Sequence, residues 1–152
     1  MNIDIALTAP QKEFAMHESN YPALVGGLGS GKTEAGIARM VLLMLENYSK
    51  LGKPCNTLMT QPTYDLLKLR SIPGTEDFLD RIGISYKTNK SDYHIDMPPF
   101  GRILFRSYDR PERIVSFECA HSLTDELDTL PMSKAEFVWR KISERTREKA
   151  YR

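Results

Sequence analysis

What this chain has little of narrows its function before any motif is read. Only two cysteines, Cys55 and Cys119, occur in 152 residues. That is too few for a disulfide framework, and they lie too far apart to share a metal-ligand motif. Both sit among apolar neighbours, so a reduced, structural role is expected. No apolar run approaches the roughly 20 residues that cross a bilayer, and no signal peptide opens the chain. The sequence therefore reads as a cytosolic protein with no membrane partner. Internal repeats and low-complexity tracts are absent. Neither charge dominates: 21 basic against 20 acidic side chains leave a net charge of +1, which alone argues neither for nor against nucleic acid. The length suits one domain with a real core, and residues 1–152 read as a single unit.

The charge that is present is unevenly placed. Arg102, Arg106, Arg110 and Arg113 stand against Asp109 and Glu112. Arg140, Lys141, Arg145, Arg147, Lys149 and Arg152 stand against Glu144 and Glu148. Each segment reads either as part of a path for a phosphate backbone or as a solvated face.

Glycine is concentrated in Gly26-Gly27-Leu28-Gly29-Ser30-Gly31-Lys32-Thr33. This run satisfies G-x-x-x-x-G-K-[ST], the phosphate-binding loop, at every fixed position. Glycines let the chain curl until successive backbone N–H groups face phosphate oxygens. Lys32 then reaches the β and γ phosphates, the Thr33 hydroxyl holds Mg²⁺, and the following helix adds its positive dipole end. The context agrees. Tyr21-Pro22-Ala23-Leu24-Val25 reads as a buried strand entering the loop. Ala35 to Leu45 makes a helix that is apolar on most faces, ended by Gly52 and Pro54, as expected of a helix packed on a sheet.

Further along, Thr8 and Gln11 have capping-box spacing with Pro10 in the first turn, starting a short helix to about His17. Asn56–Thr60 reads as a second core strand. Tyr64–Leu69 reads as helical, Pro73-Gly74 as a break, and Thr75–Ile82 as a second helix ending at Gly83. Tyr93, Ile95 and Met97 alternate with polar residues, and Pro98, Pro99 and Gly101 turn the chain back through Ile103-Leu104-Phe105, which reads as a β-hairpin. Ser133 and Glu136 make a second capping box for a helix running to the end. Helices alternating with strands imply an α/β fold, a mostly parallel sheet with helices on both faces and an inserted hairpin.

A triphosphate site also needs an acid for its Mg²⁺ and a group to orient or deprotonate water. Asp125-Glu126, after Cys119–Thr124, supplies both: Asp125 for the metal and Glu126 for the water, since neighbouring side chains diverge at a strand end. The competing reading is an exposed acidic turn, and Glu118 and Asp128 are fallbacks. Gln11 offers the paired donor and acceptor that suit the edge of adenine, besides its capping role. His17, His94 and His121 have no constellation around them and read as structural or exposed.

With these residues in hand, the chain resembles the large terminase subunit of tailed bacteriophages, in the N-terminal part of its ATPase domain. The resemblance rests on Leu7-Thr8-Ala9-Pro10-Gln11, Gly26 to Thr33, Thr60-Gln61-Pro62-Thr63-Tyr64, Ile103-Leu104-Phe105-Arg106-Ser107 and Asp125-Glu126 in that order. It implies a P-loop NTPase fold, RecA-like, that binds ATP and Mg²⁺ and drives viral DNA packaging in the cytoplasm of the infected bacterial host. The implied partners are double-stranded viral DNA, the portal protein, a small terminase subunit and copies of the chain itself in a ring. It carries phosphate and Mg²⁺ binding to Lys32 and Thr33, Mg²⁺ to Asp125, water activation to Glu126 and adenine to Gln11. It also implies an arginine acting on a neighbouring subunit's nucleotide, with Arg106, Arg110 and Arg113 in a suitable region and Arg113 preferred. The chain stops one helix after Asp125-Glu126, so a sheet incomplete at its C-terminal side and no nuclease domain are expected. The departure from the pattern is Leu28 and Ser30 where many terminases carry a loop arginine. A helicase-like ATPase, a small-molecule kinase and a nucleotide-binding assembly module without turnover are the alternatives.

Overall fold

The computed structural model describes residues 5–147. Among these, five strands form one sheet in the order β2-β3-β4-β1-β5. They are β1 (Cys55–Gln61), β2 (Lys87–Asn89), β3 (His94–Met97), β4 (Gly101–Ser107) and β5 (His121–Thr124). β1 runs parallel to both its neighbours, with Met59 opposite Phe105 on one side and Leu123 on the other. β3 and β4 form the expected hairpin, extended by the antiparallel β2. The hairpin is built into the sheet rather than set apart from it, because β4 is also the parallel neighbour of β1.

Alternation along the strands divides the core between two faces. Met59, Ile103 and Phe105 pack with α1 (Ala9–Ala15), α2 (Lys32–Leu51) and α4 (Ile72–Arg81). Leu58, Leu104 and Tyr108 pack on the other face with Val138 and Ile142 of α5 (Met132–Arg145). α2 lies close to β5: a Cβ on Gly36 would come within 2.7 Å of a Leu123 methyl. The helix ends as read, with Gly52 left-handed at φ 63° and its N–H donating to the Tyr48 carbonyl. α1 is tied to α2 by Arg39, whose guanidinium donates to the carbonyls of Phe14 (3.1 Å), His17 (2.7 Å) and Ser19 (2.9 Å). The His17 and Ser19 carbonyls lie beyond the C-terminus of α1, and the Phe14 carbonyl, which also accepts from the His17 N–H at 3.3 Å, is in its last turn, so one side chain fixes the short helix in place.

Several local expectations fail for physical reasons. Tyr21–Val25 forms no strand and stands outside the sheet, with Tyr21 74% and Val25 92% exposed. It has the apolar pattern of a strand but no ladder partner. Pro73-Gly74 does not break the helix. α3 (Tyr64–Leu66) passes through a π-helical turn, Leu67–Ser71, directly into α4. There the Ile72 N–H donates to the Leu67 carbonyl, a wider i→i+5 bond, and the Thr75 hydroxyl donates to the Ser71 carbonyl at 2.7 Å. Proline thus sits in the first turn after the bulge, where its missing N–H is tolerated. α5 starts at Met132 behind Pro131 with no side-chain cap. Ser133 is already inside the helix, so the second capping box does not form. The helix closes at Arg145, and Lys149 and Arg152 of the basic tail lie outside the described residues.

Candidate functional site

The C-terminal ends of the parallel strands β1, β4 and β5 share one edge of the sheet, where ligands of open α/β sheets bind. The glycine-rich loop and the acidic pair meet there. The Thr33 hydroxyl, one residue into α2, donates to Asp125 Oδ2 at 2.6 Å. The loop curls as its glycines allow: Gly29 and Gly31 are left-handed at φ 73° and 78°, a region that costs other residues about 1–2 kcal/mol. The Ser30 N–H donates back to the Gly27 carbonyl at 3.3 Å, and the Gly31 carbonyl accepts the first helical bond of α2 from Ala35 at 3.0 Å. Lys32 folds over the loop, its Nζ donating to the carbonyls of Gly26 (2.7 Å) and Gly27 (2.9 Å). The ammonium is therefore held at the loop and exposed to an incoming anion. Leu28 at the loop tip is fully exposed.

Asp125 is fixed from several directions. Its N–H donates to the Thr60 carbonyl at 3.1 Å, and its carbonyl accepts from the buried Tyr108 hydroxyl at 2.7 Å. Burial pushes the Tyr108 phenol well above its ordinary pKa, so it stays a donor. Gln61, at the end of β1, donates from Nε2 to Asp125 Oδ2 at 2.8 Å. Glu126 then turns sharply into the left-handed region, φ 55° and ψ 33°, and the hydroxyl of Thr129 donates to its carbonyl at 2.7 Å. The turn, rather than strand alternation, separates the two acids. Asp125 faces Thr33 and Gln61, while the Glu126 carboxylate stands 3.7 Å from Arg70 on the π turn. A left-handed glutamate is a strained feature of the kind that gathers at functional sites.

Gln11 is buried beside the loop and its amide is fully engaged. Its Oε1 accepts from the N–H (2.9 Å) and hydroxyl (3.0 Å) of Thr8, realising that half of the capping box. Its Nε2 donates to the Gly31 carbonyl (3.2 Å) and to Glu34 (3.3 Å), whose other oxygen pairs with Arg81 at 2.7 Å. Gln11 is thus at the loop, joined to it through the backbone of Gly31. Arg113 lies apart from this cluster, its guanidinium 5.7 Å from the centre of the Tyr64 ring. It lines a cavity of about 360 Å³ with Thr63, Asp65, Tyr93, Asp109 and Arg110. Arg106, half-buried where Arg110 and Arg113 are exposed, is spent on backbone carbonyls, including Phe105 at 2.7 Å. His94 pairs with Asp96 at 3.5 Å, and the thiols of Cys55 and Cys119 are buried outside any disulfide.

Among the described residues, no three histidine, cysteine, aspartate or glutamate side chains gather to hold a metal ion. That disfavours a protein cage. It leaves room for Mg²⁺, which takes one or two protein oxygens and completes its octahedron with phosphate and water. Thr33 and Asp125 supply such a pair, and a buried acceptor, Gln61 Oε1, has no hydrogen-bond partner beside them. The donor set fits.

The comparisons with known proteins agree with this architecture. No protein-family model and no curated protein matches the sequence. Solved structures do. The fold matches that of a large terminase from a thermophilic bacteriophage with a TM-score of 0.76 at 14% identity, over 94% of this chain and 37% of that one. The same phage protein in complex with ATP-γ-S matches with a TM-score of 0.72 at 16% identity, over 95% and 36%. The ATPase domain of the Thermus phage P74-26 large terminase matches with a TM-score of 0.50 at 19% identity, over 78% and 53%. The chain thus has the fold of a large-terminase ATPase domain, as the motif order implied, and spans little more than a third of the first of these proteins. Among its described residues no helix is long and apolar enough to cross a membrane.

Sequence reasoning missed three residues of this cluster: Gln61, Tyr108 and Arg70. Gln61 carried a signal, since a lone amide closing a core strand of a parallel sheet points to the ligand edge. Tyr108 and Arg70 carried none, because their partners are set by long-range geometry.

Proposed function

We propose that this chain is a P-loop ATPase unit of the large-terminase type, the part of a viral DNA-packaging motor that binds and hydrolyses ATP. The observation that carries the reading is the 2.6 Å hydrogen bond between Thr33 and Asp125. It joins a complete phosphate-loop motif to the acid that such a loop requires. The likeness to the thermophilic phage terminase, which has been solved with ADP and with ATP-γ-S, supports nucleotide as the ligand.

In this reading the N–H groups of residues 26–31 and the Lys32 ammonium receive the phosphates. Lys32 exchanges its loop carbonyls for phosphate oxygens, which gain more from a cation than neutral carbonyls do. Thr33 and Asp125 hold Mg²⁺, which when bound neutralises charge on the β and γ phosphates. Glu126 orients a water and accepts its proton, a contribution of about 10²–10⁴ in rate. Its αL turn keeps that carboxylate clear of the metal side. Gln11, already hydrogen-bonded to the loop, would contact the adenine by exchanging Glu34 or Thr8 for the base edge. Arg113 would act on the nucleotide of a neighbouring copy in a ring. Double-stranded viral DNA, the portal protein and a small terminase subunit are the partners this assignment entails.

The test is Glu126→Ala, assayed with DNA and portal present. Phosphate release should be lost while nucleotide affinity stays within a few fold of the parent. Retained turnover removes Glu126 from its role. A parent chain that binds nucleotide yet releases no phosphate with any partner would reduce the assignment to a nucleotide-binding assembly module.

A further inference from the structure

Gln61 has a position that neither the loop motif nor the acidic pair explains. It is the last residue of β1, and it is only 2% exposed. Its backbone is held from the end of β4, with its carbonyl accepting from the Tyr108 N–H at 2.9 Å. Its side chain crosses to Asp125, donating from Nε2 to the same Oδ2 that receives the Thr33 hydroxyl. A carboxylate oxygen takes donors, so the amide can face Asp125 only through its nitrogen. That fixes the other end: Oε1 is left buried and without a hydrogen-bond partner. A buried acceptor left unpaired costs roughly 1–3 kcal/mol, and a purely structural role would be served as well by an apolar side chain of similar shape.

We infer that Gln61 is a positioning residue of the metal site. This rests on the nucleotide-binding reading above and deepens it. Nε2 holds Asp125 Oδ2, so that the carboxylate keeps one orientation when Thr33 turns its oxygen to the cation. Oε1 accepts a hydrogen bond from a water carried in with the cation. The Nε2 bond already orients the carboxylate, and the Oε1 bond would form with the cation's water, so both act on Mg²⁺ binding. Outer-shell partners of this kind change metal affinity by about 10–100-fold. Gln61 therefore sets how much Mg²⁺ strengthens nucleotide binding, and leaves the metal-independent grip of the loop alone.

The experiment titrates a fluorescent ADP analogue into the full chain with Mg²⁺ and, separately, with EDTA. The ratio of the two affinities is the Mg²⁺ enhancement. Gln61→Leu should lose about tenfold or more of that enhancement while its EDTA affinity and thermal unfolding stay near the parent's. An unchanged enhancement overturns the inference, and so does an equal loss of affinity with and without Mg²⁺, which would mark a structural role. Should Q61L not fold, Q61N is measured instead; its amide is one methylene short of Asp125 and should lose the enhancement likewise. If the parent binds no nucleotide under either condition, the nucleotide-site reading itself falls. A parent with full Mg²⁺ enhancement and a Gln61 variant that keeps it would remove only the role of Gln61.

Discussion

The bond from the Tyr108 hydroxyl to the Asp125 carbonyl ties the second face of the core to the acid of the site, and Tyr108→Phe isolates it. The ring is fully buried and would remain so, so no cavity opens beyond the lost oxygen. Thr60 also bonds that hydroxyl at 3.3 Å, but it has the Leu123 carbonyl at 3.2 Å as an alternative acceptor. The Asp125 carbonyl loses its 2.7 Å donor outright. An orphaned buried acceptor costs about 1–3 kcal/mol, so we expect destabilisation of about 2 kcal/mol. For a chain of this length that lowers Tm by about 4–8 °C. Urea unfolding of parent and variant, at unchanged m-value, measures it. A variant within about 0.5 kcal/mol of the parent would refute the claim that this hydroxyl anchors Asp125.

Lys32→Ala removes the donor held at the loop; nucleotide affinity should fall at least about tenfold while stability falls by only about 1 kcal/mol, since the half-buried side chain gives up its hydrogen bonds to the Gly26 and Gly27 carbonyls, as isothermal titration and thermal unfolding would show. Gly36→Ala should destabilise, although glycine to alanine in a helix ordinarily gains about 1 kcal/mol. The new methyl meets both Leu123 methyls, at 2.7 and 2.9 Å, and overpacking costs about 1–3 kcal/mol; a stabilised variant on chemical denaturation would contradict the tight α2–β5 packing. Asp96 has its pKa lowered, chiefly by the hydrogen bond from Arg102. A depressed carboxylate contributes stability above the unfolded value of about 4 and loses it as pH falls through the lower folded value. Arg102→Ala should therefore flatten the acid limb of the stability–pH curve, by only tenths of a kcal/mol because the pair is largely solvated.

How much of this was legible depended on whether the information was local. The loop, α2 and its Gly52 stop, the Thr8–Gln11 cap and the turn after Met97 all follow from neighbouring residues, and all form as read. Asp125 was legible because a phosphate loop demands an acid near a strand end. Tyr21–Val25 was misread because apolarity reports that a segment can pair, whereas pairing needs a neighbour. Among the described strands β5, at the edge of the sheet, is bonded to β1 alone. Pro73-Gly74 was misread because a π turn immediately upstream re-routes the hydrogen bonds that proline would have broken. The amide of Gln61 at a strand end was a local signal, but the partners that Gln61 and Tyr108 meet are set by strand register, Gln61 opposite Ser107, which no local pattern encodes.

The central claim is that the curled backbone before Lys32 and the carboxylate of Asp125 together close around a magnesium triphosphate. Equilibrium titration of the folded chain with ATP, with and without Mg²⁺, tests it most directly. The account predicts saturable one-to-one uptake that Mg²⁺ strengthens, with the strengthening lost in Asp125→Asn. Absence of uptake by a folded sample, or an Asp125→Asn variant that keeps the full Mg²⁺ effect, would contradict it.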